Sequence, residues 1–171
     1  MTDAKTMDAQ AGYEKGITIT AAALAGGNLV SAYPGMVGSL MGQSFEGMVI
    51  DNDLLGNVQR LLRGIEVTDE TLSYEVIADT AGGVGHYLGH DQTVQLMRSE
   101  YQYPALADRT PPGAWEEEGS RSAYARAHER VHEILGSHYP EYLDPALDAR
   151  IRSQFPIRLD PADMRPGNGR W

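Results

Sequence analysis

Two short stretches of this sequence are typical of β-strands, and longer helical patterns surround both. Residues 28–33 (NLVSAY) are apolar and end at Pro34-Gly35, and residues 86–88 (HYL) follow a glycine-rich turn. Strands that alternate with helices form parallel sheets, but two short strands cannot complete a covered parallel sheet. We therefore expect a helix-rich α/β chain that supplies only part of a larger sheet.

Helix signals are stronger than strand signals. A first helix is expected from Asp8 to about Ala25, with Tyr13, Ile17 and Leu24 at helical spacing. The best helical pattern begins at Ser44 and carries an apolar stripe through Ile65. The expected helix starts are Asp8, Ser44, Thr68, His90 or Asp91, Ser120 and the Asp144-Pro145 pair.

A change in composition after Pro104 indicates two regions. Residues 1–104 hold both predicted strands and their helices, and residues 105–171 hold helices only. We expect the second region to be a helical extension that packs on the first. Its final segment, DPADMRPGNGRW, is predicted to be a polar tail.

Charge and residue usage exclude several classes of protein. The 14 Lys and Arg against 24 Asp and Glu give a net charge of −10, which argues against nucleic-acid binding. The sequence has no cysteine, so disulfide scaffolds, thiolate zinc sites and cysteine nucleophiles are impossible. The N-terminus lacks a basic segment followed by an apolar run, and we expect a cytoplasmic protein.

His86 and His90 have the four-residue spacing that can present two imidazoles to one metal on a helix. Gly85 and Gly89 interrupt the pair at His86 and His90, so a zinc site is the least favoured interpretation. These imidazoles can instead bond backbone carbonyls in a loop, or lie at the mouth of a parallel sheet, which we favour. The second pair, His128 and His132 with Glu133, is expected on the solvated face of a helix.

The N-terminal segment carries a dense set of polar side chains. It can be an ordinary polar terminus, but regular structure begins abruptly after it, which favours a functional role. The group comprises Asp3, Lys5, Asp8, Gln10 and Glu14.

Several blocks of the sequence resemble the trimethylamine:corrinoid methyltransferase family. They are TDAKTMDAQAGYEK, ALAGGNLV, SFEGMVIDNDLLGNVQRLLRGIEVTDETL and GHYLGHDQTVQLMRSEY, with a weaker similarity at WEEEG. The resemblance covers roughly residues 2–135 and is specific because the blocks occur in order. It implies the C-terminal portion of a (β/α)₈ TIM-type barrel, with about two to three short parallel strands.

The resemblance also implies a chemistry. Family members transfer a methyl group from a methylated amine to the cobalt of a corrinoid carried by a partner protein. Tyr33 would face the ammonium group through a cation–π contact, and Asp3 would offer counter-charge. The resemblance implies catalytic roles for Lys5 and His86, and substrate contacts for Asp3, Gln10, Tyr33 and His90. No residue is assigned to the corrinoid, and no metal is expected to bind this chain directly.

Lys5 separates two branches of the family. Trimethylamine-specific members use pyrrolysine close to this position, so Lys5 either stands for that modified residue or marks the non-pyrrolysine branch. We favour the second interpretation, which implies a quaternary amine such as glycine betaine as substrate. The expected partners are a corrinoid protein and either a second copy or a complementary N-terminal barrel half. The alternative is a non-catalytic binding or assembly module that packs on a partner.

Overall fold

Capped helices make up most of the chain. The computed structural model describes residues 1–31, 33–83, 85–139 and 141–167. The helices are α1 (Ala9–Leu24), α2 (Phe45–Arg63), α3 (Asp69–Leu72), α4 (Tyr74–Gly82), α5 (Asp91–Ser99), α6 (Pro112–Glu117), α7 (Ala123–Ser137) and α8 (Pro145–Gln154). Five expected caps accept a backbone N–H hydrogen bond through their side chains, as predicted: Asp8, Ser44, Thr68, His90 and Asp144.

Helix α1 buries a different face from the one that its large side chains mark. Ala11, Lys15 and Ile19, each four residues apart, form its buried face. Tyr13 and Ile17 lie on the other side and are 58% and 67% exposed. The helix therefore packs through small residues and one charged residue, while its larger apolar side chains contact solvent.

Helix α2 packs against α1 and ends slightly earlier than expected. Gly64 has a φ of +68° and stops the helix at Arg63, two residues before the predicted end at Ile65. The core between the two helices is small. It consists of Ile19, Tyr33 and Val58, with Ala23, Leu54 and Leu55 packed around them.

The strands are the main difference from expectation. In the described part of the chain, residues 28–31 and 33 have no regular structure, and residues 86–88 lie in the loop between α4 and α5. Ala32, inside the first predicted strand, lies outside the described residues. The only strands in the described ranges are β1 (Met36–Val37) and β2 (Gly42–Gln43), a short antiparallel pair.

A strand forms only where a neighbouring strand accepts its backbone hydrogen bonds. The prediction of parallel strands at 28–33 and 86–88 is therefore wrong for the residues described here, because none of those residues pairs with a parallel neighbour. Leu29 and Leu88 are 89% and 82% exposed. Both stretches are thus apolar segments without the sheet that their composition suggests.

Asp53, on α2, fixes the segment that follows α5. Its carboxylate accepts hydrogen bonds from the amides of Ala105, Leu106 and Ala107 at 2.8, 3.0 and 3.1 Å. The compact first unit of the chain runs from Met1 to Arg109, and the second from Thr110 onward. The segment 105–107 thus belongs to the first unit and is hydrogen-bonded to α2 through the Asp53 side chain.

The second unit contains α6, α7, α8 and a 3-10 turn at Pro161–Met164, within the segment expected to be a polar tail. Ser122 caps α7, two residues later than the expected start at Ser120. Ala127 and Val131 are the buried residues of α7. The opposite side of this helix therefore faces outward.

Candidate functional site

Glu14 is the centre of the polar N-terminal group. Its carboxylate accepts hydrogen bonds from the Thr2 hydroxyl at 2.6 Å, the Asp3 amide at 2.8 Å and the Gln10 side-chain amide at 2.8 Å. These bonds, that from Thr2 above all, hold the pKa of Glu14 below its ordinary value of 4.5. An ionised carboxylate therefore anchors the segment before α1.

The hairpin between β1 and β2 holds the same segment from the other side. The Gly38 amide donates to the Ala4 carbonyl at 2.8 Å, and the Ser39 amide donates to the Thr2 carbonyl at 3.0 Å. The Ser39 hydroxyl also donates to the Asp3 carboxylate. Residues 2–4 are thus fixed between α1 and the hairpin, although they form no strand.

Three of the predicted site residues lie together in this region. Lys5 is exposed, and its Nζ donates to the Asp3 carbonyl at 2.8 Å. Gln10 reaches the same network through Glu14. Sequence reasoning placed Glu14 in the polar group but did not single it out, because its role depends on a chain reversal between residues 2 and 14.

A shallow groove of about 380 Å³ runs beside this network. The residues Met1, Tyr13 and Ile17 line it, together with the acidic residues Asp3 and Glu14. An aromatic ring and two carboxylates beside apolar surface are suited to a small organic cation.

A buried ion pair joins α1 and α2. Lys15 and Asp51 are 1% and 0% exposed, and Nζ lies 2.5 Å from Oδ2. The same Oδ2 accepts a hydrogen bond from the Gly35 amide at 2.7 Å. Sequence reasoning missed this pair, since a lysine on a helix is normally solvated; the signal was its place between Ala11 and Ile19 on a face of small and apolar residues.

Tyr33 belongs to this buried set and is separate from the groove. It is 3% exposed, and its ring centroid lies 5.3 Å from Lys15 Nζ. Burial, and secondarily the Asp51 carboxylate, raises the pKa of its phenol. Within the described residues, neither the Tyr33 hydroxyl nor Asp51 Oδ1 has a hydrogen-bond partner. In this chain the tyrosine ring thus faces the protein's own ammonium group.

The structure places His86 and His90 in different local settings. His86 lies exposed in the turn after α4. His90 caps α5, and its Nδ1 accepts a hydrogen bond from the Gln92 amide at 3.2 Å. As far as the described ranges go, no hydrogen bond joins either imidazole to Asp3 or Lys5.

The described residues offer neither a cluster of three metal ligands nor a membrane-spanning helix. No group of three or more His, Cys, Asp or Glu side chains in that part of the chain is arranged to hold a metal ion. None of its helices is long and apolar enough to cross a membrane.

Comparison with known proteins identifies relatives over nearly the whole chain. The trimethylamine methyltransferase (MTTB) family profile matches residues 1–159. A glycine betaine methyltransferase of Desulfitobacterium hafniense is 33% identical over 90% of this chain and 32% of its own length. The trimethylamine methyltransferase MttB of Methanosarcina thermophila is 42% identical over 83% of this chain and 29% of its own length.

A third relative, the trimethylamine methyltransferase MttB of Methanosarcina barkeri, is 39% identical over 94% of this chain and 31% of its own length. The chain therefore spans about a third of the length of the curated relatives it matches. The match is collinear with the resemblance found from the sequence blocks and extends beyond it, to residue 159. This chain belongs to the trimethylamine methyltransferase family.

Proposed function

We propose that this chain is the C-terminal portion of a corrinoid-dependent methyltransferase that takes a methyl group from a methylated amine. The observation that carries the proposal is similarity, over 83–94% of the chain, to relatives named for trimethylamine and glycine betaine methyl transfer. When bound through its carrier protein, the corrinoid would supply the nucleophile that accepts the methyl group.

The groove beside Glu14 supports a role in binding the amine. A methylated ammonium group has a diffuse positive charge and an apolar surface, so it needs both counter-charge and apolar walls. The Asp3 and Glu14 carboxylates offer the first, and Tyr13 and Ile17 offer the second. A quaternary amine such as glycine betaine is the proposed substrate class, because this chain carries plain Lys5 in the same segment.

The predicted site residues take the following proposed roles. Lys5, exposed and hydrogen-bonded to the Asp3 carbonyl, orients the carboxylate end of such a substrate. Gln10 holds Glu14 in place. His86 and His90 are proposed to act where the chain meets further polypeptide, since no described hydrogen bond connects them to the groove. Tyr33, which is 3% exposed, is proposed to hold the Lys15 ammonium through its ring rather than to contact the amine.

Exposed apolar residues support a polypeptide partner. Ile17 and Leu24 on α1 are 67% and 64% exposed, and Leu29 just after the helix is 89% exposed. Such side chains are normally covered when they cluster on one helix face. We propose that a complementary N-terminal barrel portion or a second copy covers them, and that a corrinoid protein docks on the completed enzyme.

The same observation favours the alternative, in which the chain is a non-catalytic module that packs on a partner. The two functions differ in whether the groove binds a methylated amine. Chemical-shift changes on titration with glycine betaine and with trimethylamine measure this directly. We expect shifts in the amides of residues 2–5 and 13–18.

Single-residue variants test whether the amine binds in the groove. Glu14→Gln removes a carboxylate that lines the groove, and we expect at least about tenfold weaker binding because a counter-charge contact is lost. Glu75→Gln, an exposed carboxylate in the first turn of α4, is the matched control and should bind normally. Transfer is then measured as methylcobalamin formed from reduced cobalamin and each amine, with the chain alone and with a complementary N-terminal portion.

Two results would reject the enzymatic proposal in favour of the module. The first is that neither amine shifts the groove amides. The second is that no methylcobalamin forms with either preparation. Sedimentation of the native chain then tests the module itself, which should self-associate or bind its partner.

A further inference from the structure

Helix α7 holds two imidazoles at an unusual mutual distance. The Nε2 atoms of His128 and His132 lie 3.2 Å apart, and the rings meet edge to face with centroids 4.6 Å apart. Both side chains are exposed. The helix fixes their spacing, since residues four apart lie one above the other on the same face.

An Nε2–Nε2 distance of 3.2 Å fits either a shared proton or a shared metal ion. An N–H···N hydrogen bond requires one imidazole to donate and the other to accept. Two metal–nitrogen bonds of about 2.0–2.1 Å, drawn to nitrogens 3.2 Å apart, enclose an angle of about 100°, which is close to tetrahedral. The pair thus has the bite of a two-imidazole chelate.

We propose that His128 and His132 together bind a divalent transition-metal ion of the kind that imidazole prefers, with Zn²⁺ as the reference ion. This is independent of the methyl-transfer site and of the proposed function. The proposed site differs from two expectations from the sequence, namely that these histidines lie on a solvated helix face and that no metal binds this chain directly. Water completes the coordination, because the neighbouring acids are engaged elsewhere: Glu129 pairs with Arg121 and Glu133 with Arg130, both at 2.8 Å.

The scaffold under the pair is well defined. Ala127 and Val131 are buried, so they fix the rotation of α7 about its axis. The Ser122 hydroxyl caps the helix by accepting from the Ala125 amide at 3.2 Å. Two imidazoles on a fixed helix lose little freedom when an ion binds, which favours chelation over binding to single histidines.

The chain contains its own control for this argument. His86 and His90 have the same spacing in sequence, but they lie in a turn and at a helix cap. His90 Nδ1 already accepts a hydrogen bond from the Gln92 amide. Spacing alone does not distinguish the two pairs, whereas the structure assigns the site to α7.

The experiment is a calorimetric titration of the metal-free chain with Zn²⁺, repeated for His128→Gln, His132→Gln and His86→Gln. We expect one ion per chain, and we expect each α7 variant to weaken binding by at least about tenfold, since even indirect partners of a metal contribute about 10–100-fold. His86→Gln should leave the affinity unchanged.

Absence of Zn²⁺ binding by the native chain would overturn the proposal and leave the imidazole–imidazole hydrogen bond as the explanation of the distance. An equal loss in His86→Gln, or a loss in only one of the two α7 variants, would also overturn it. Circular dichroism checks that α7 is intact. If one α7 variant does not fold, the other decides, since each removes one arm of the chelate.

Discussion

The buried Lys15–Asp51 pair makes a sharp prediction about stability. Lys15→Met removes the ammonium group and keeps a side chain of similar length in the same space. It leaves the Asp51 carboxylate buried, with Oδ2 bonded only to the Gly35 amide and Oδ1 without a partner among the described residues. The variant therefore has an uncompensated charge in the core.

The size of the expected loss in unfolding free energy follows from the burial of the two side chains. Both side chains are at most 1% exposed, and breaking such a pair by removing one partner costs about 3–5 kcal/mol. With a urea dependence of about 2 kcal/mol per M, the unfolding midpoint should fall by about 1.5–2.5 M. The total stability of a small domain is about 5–15 kcal/mol, so the loss is a large fraction.

Urea unfolding followed by far-UV circular dichroism measures the change. Arg63→Met is the matched control, because Arg63 also pairs with a carboxylate on the same unit, at 2.9 Å from Glu100, but is 51% exposed. An exposed pair contributes less than about 1 kcal/mol, so the control midpoint should move little. Hydrogen exchange at the Gly35 amide reports the same site locally.

The double variant Lys15→Met with Asp51→Asn tests whether the unpaired Asp51 charge causes the loss of stability. Asparagine removes the unpaired charge and keeps an oxygen toward the Gly35 amide, so the double variant should recover at least about 1 kcal/mol relative to the sum of the single losses. Additive losses, or a Lys15→Met loss no larger than that of Arg63→Met, would refute the reasoning.

Four further predictions follow from other parts of the first unit. Gly35→Ala places a methyl group 2.6 Å from a backbone oxygen at a φ of +74°, so thermal unfolding should show a loss of about 2–4 kcal/mol. The folded pKa of Glu14 lies below 4.5, so its hydrogen bonds stabilise the fold above that pH and are lost as the pH falls through the folded value; amide exchange in residues 2–4 should then accelerate. The folded pKa of the Tyr33 phenol is raised above 10.0, so it stabilises the fold below that pH and the contribution is lost at higher pH; ultraviolet titration should find one tyrosine protonated until unfolding. Asp53→Ala removes the acceptor of three amides, which should exchange at least about tenfold faster.

Each of these has a contrary outcome. A Gly35→Ala variant as stable as the parent would show that the turn accommodates a side chain. Glu14→Gln should abolish the acid-linked exchange, and its persistence would assign that change to another carboxyl. A Tyr33→Phe variant with the same count of late-titrating tyrosines would contradict the burial argument. Unchanged exchange in Asp53→Ala would mean that other contacts hold the segment.

Local signals in the sequence predicted the helices well. Caps such as Asp8, Ser44 and Asp144 act within one turn of chain, so short-range chemistry decides where those helices begin. The strand predictions failed because strand formation depends on partners that are distant along the chain. An apolar stretch such as residues 28–33 becomes a strand only beside another strand, and the sequence of the stretch does not say whether that neighbour is present.

The candidate site was predicted in part. Asp3, Lys5 and Gln10 do lie in one polar network, which follows from their closeness along the chain. The role of Glu14 depends on the chain reversal between residues 2 and 14, and the pair of Lys15 with Asp51 depends on how α1 and α2 pack together. Side-chain spacing on α1 favoured the wrong face, because the large residues that mark a buried stripe are the exposed ones here.

The three hydrogen bonds to the Asp53 carboxylate determine where the first unit can be truncated. Ala105 lies 52 residues beyond the carboxylate that holds it. A chain that ends after Pro104 lacks all three amide donors, so the Asp53 carboxylate on α2 loses these hydrogen bonds. A chain that ends after Arg109 keeps all three donors. Limited proteolysis should likewise spare the peptide bonds of residues 105–107 while these hydrogen bonds hold them.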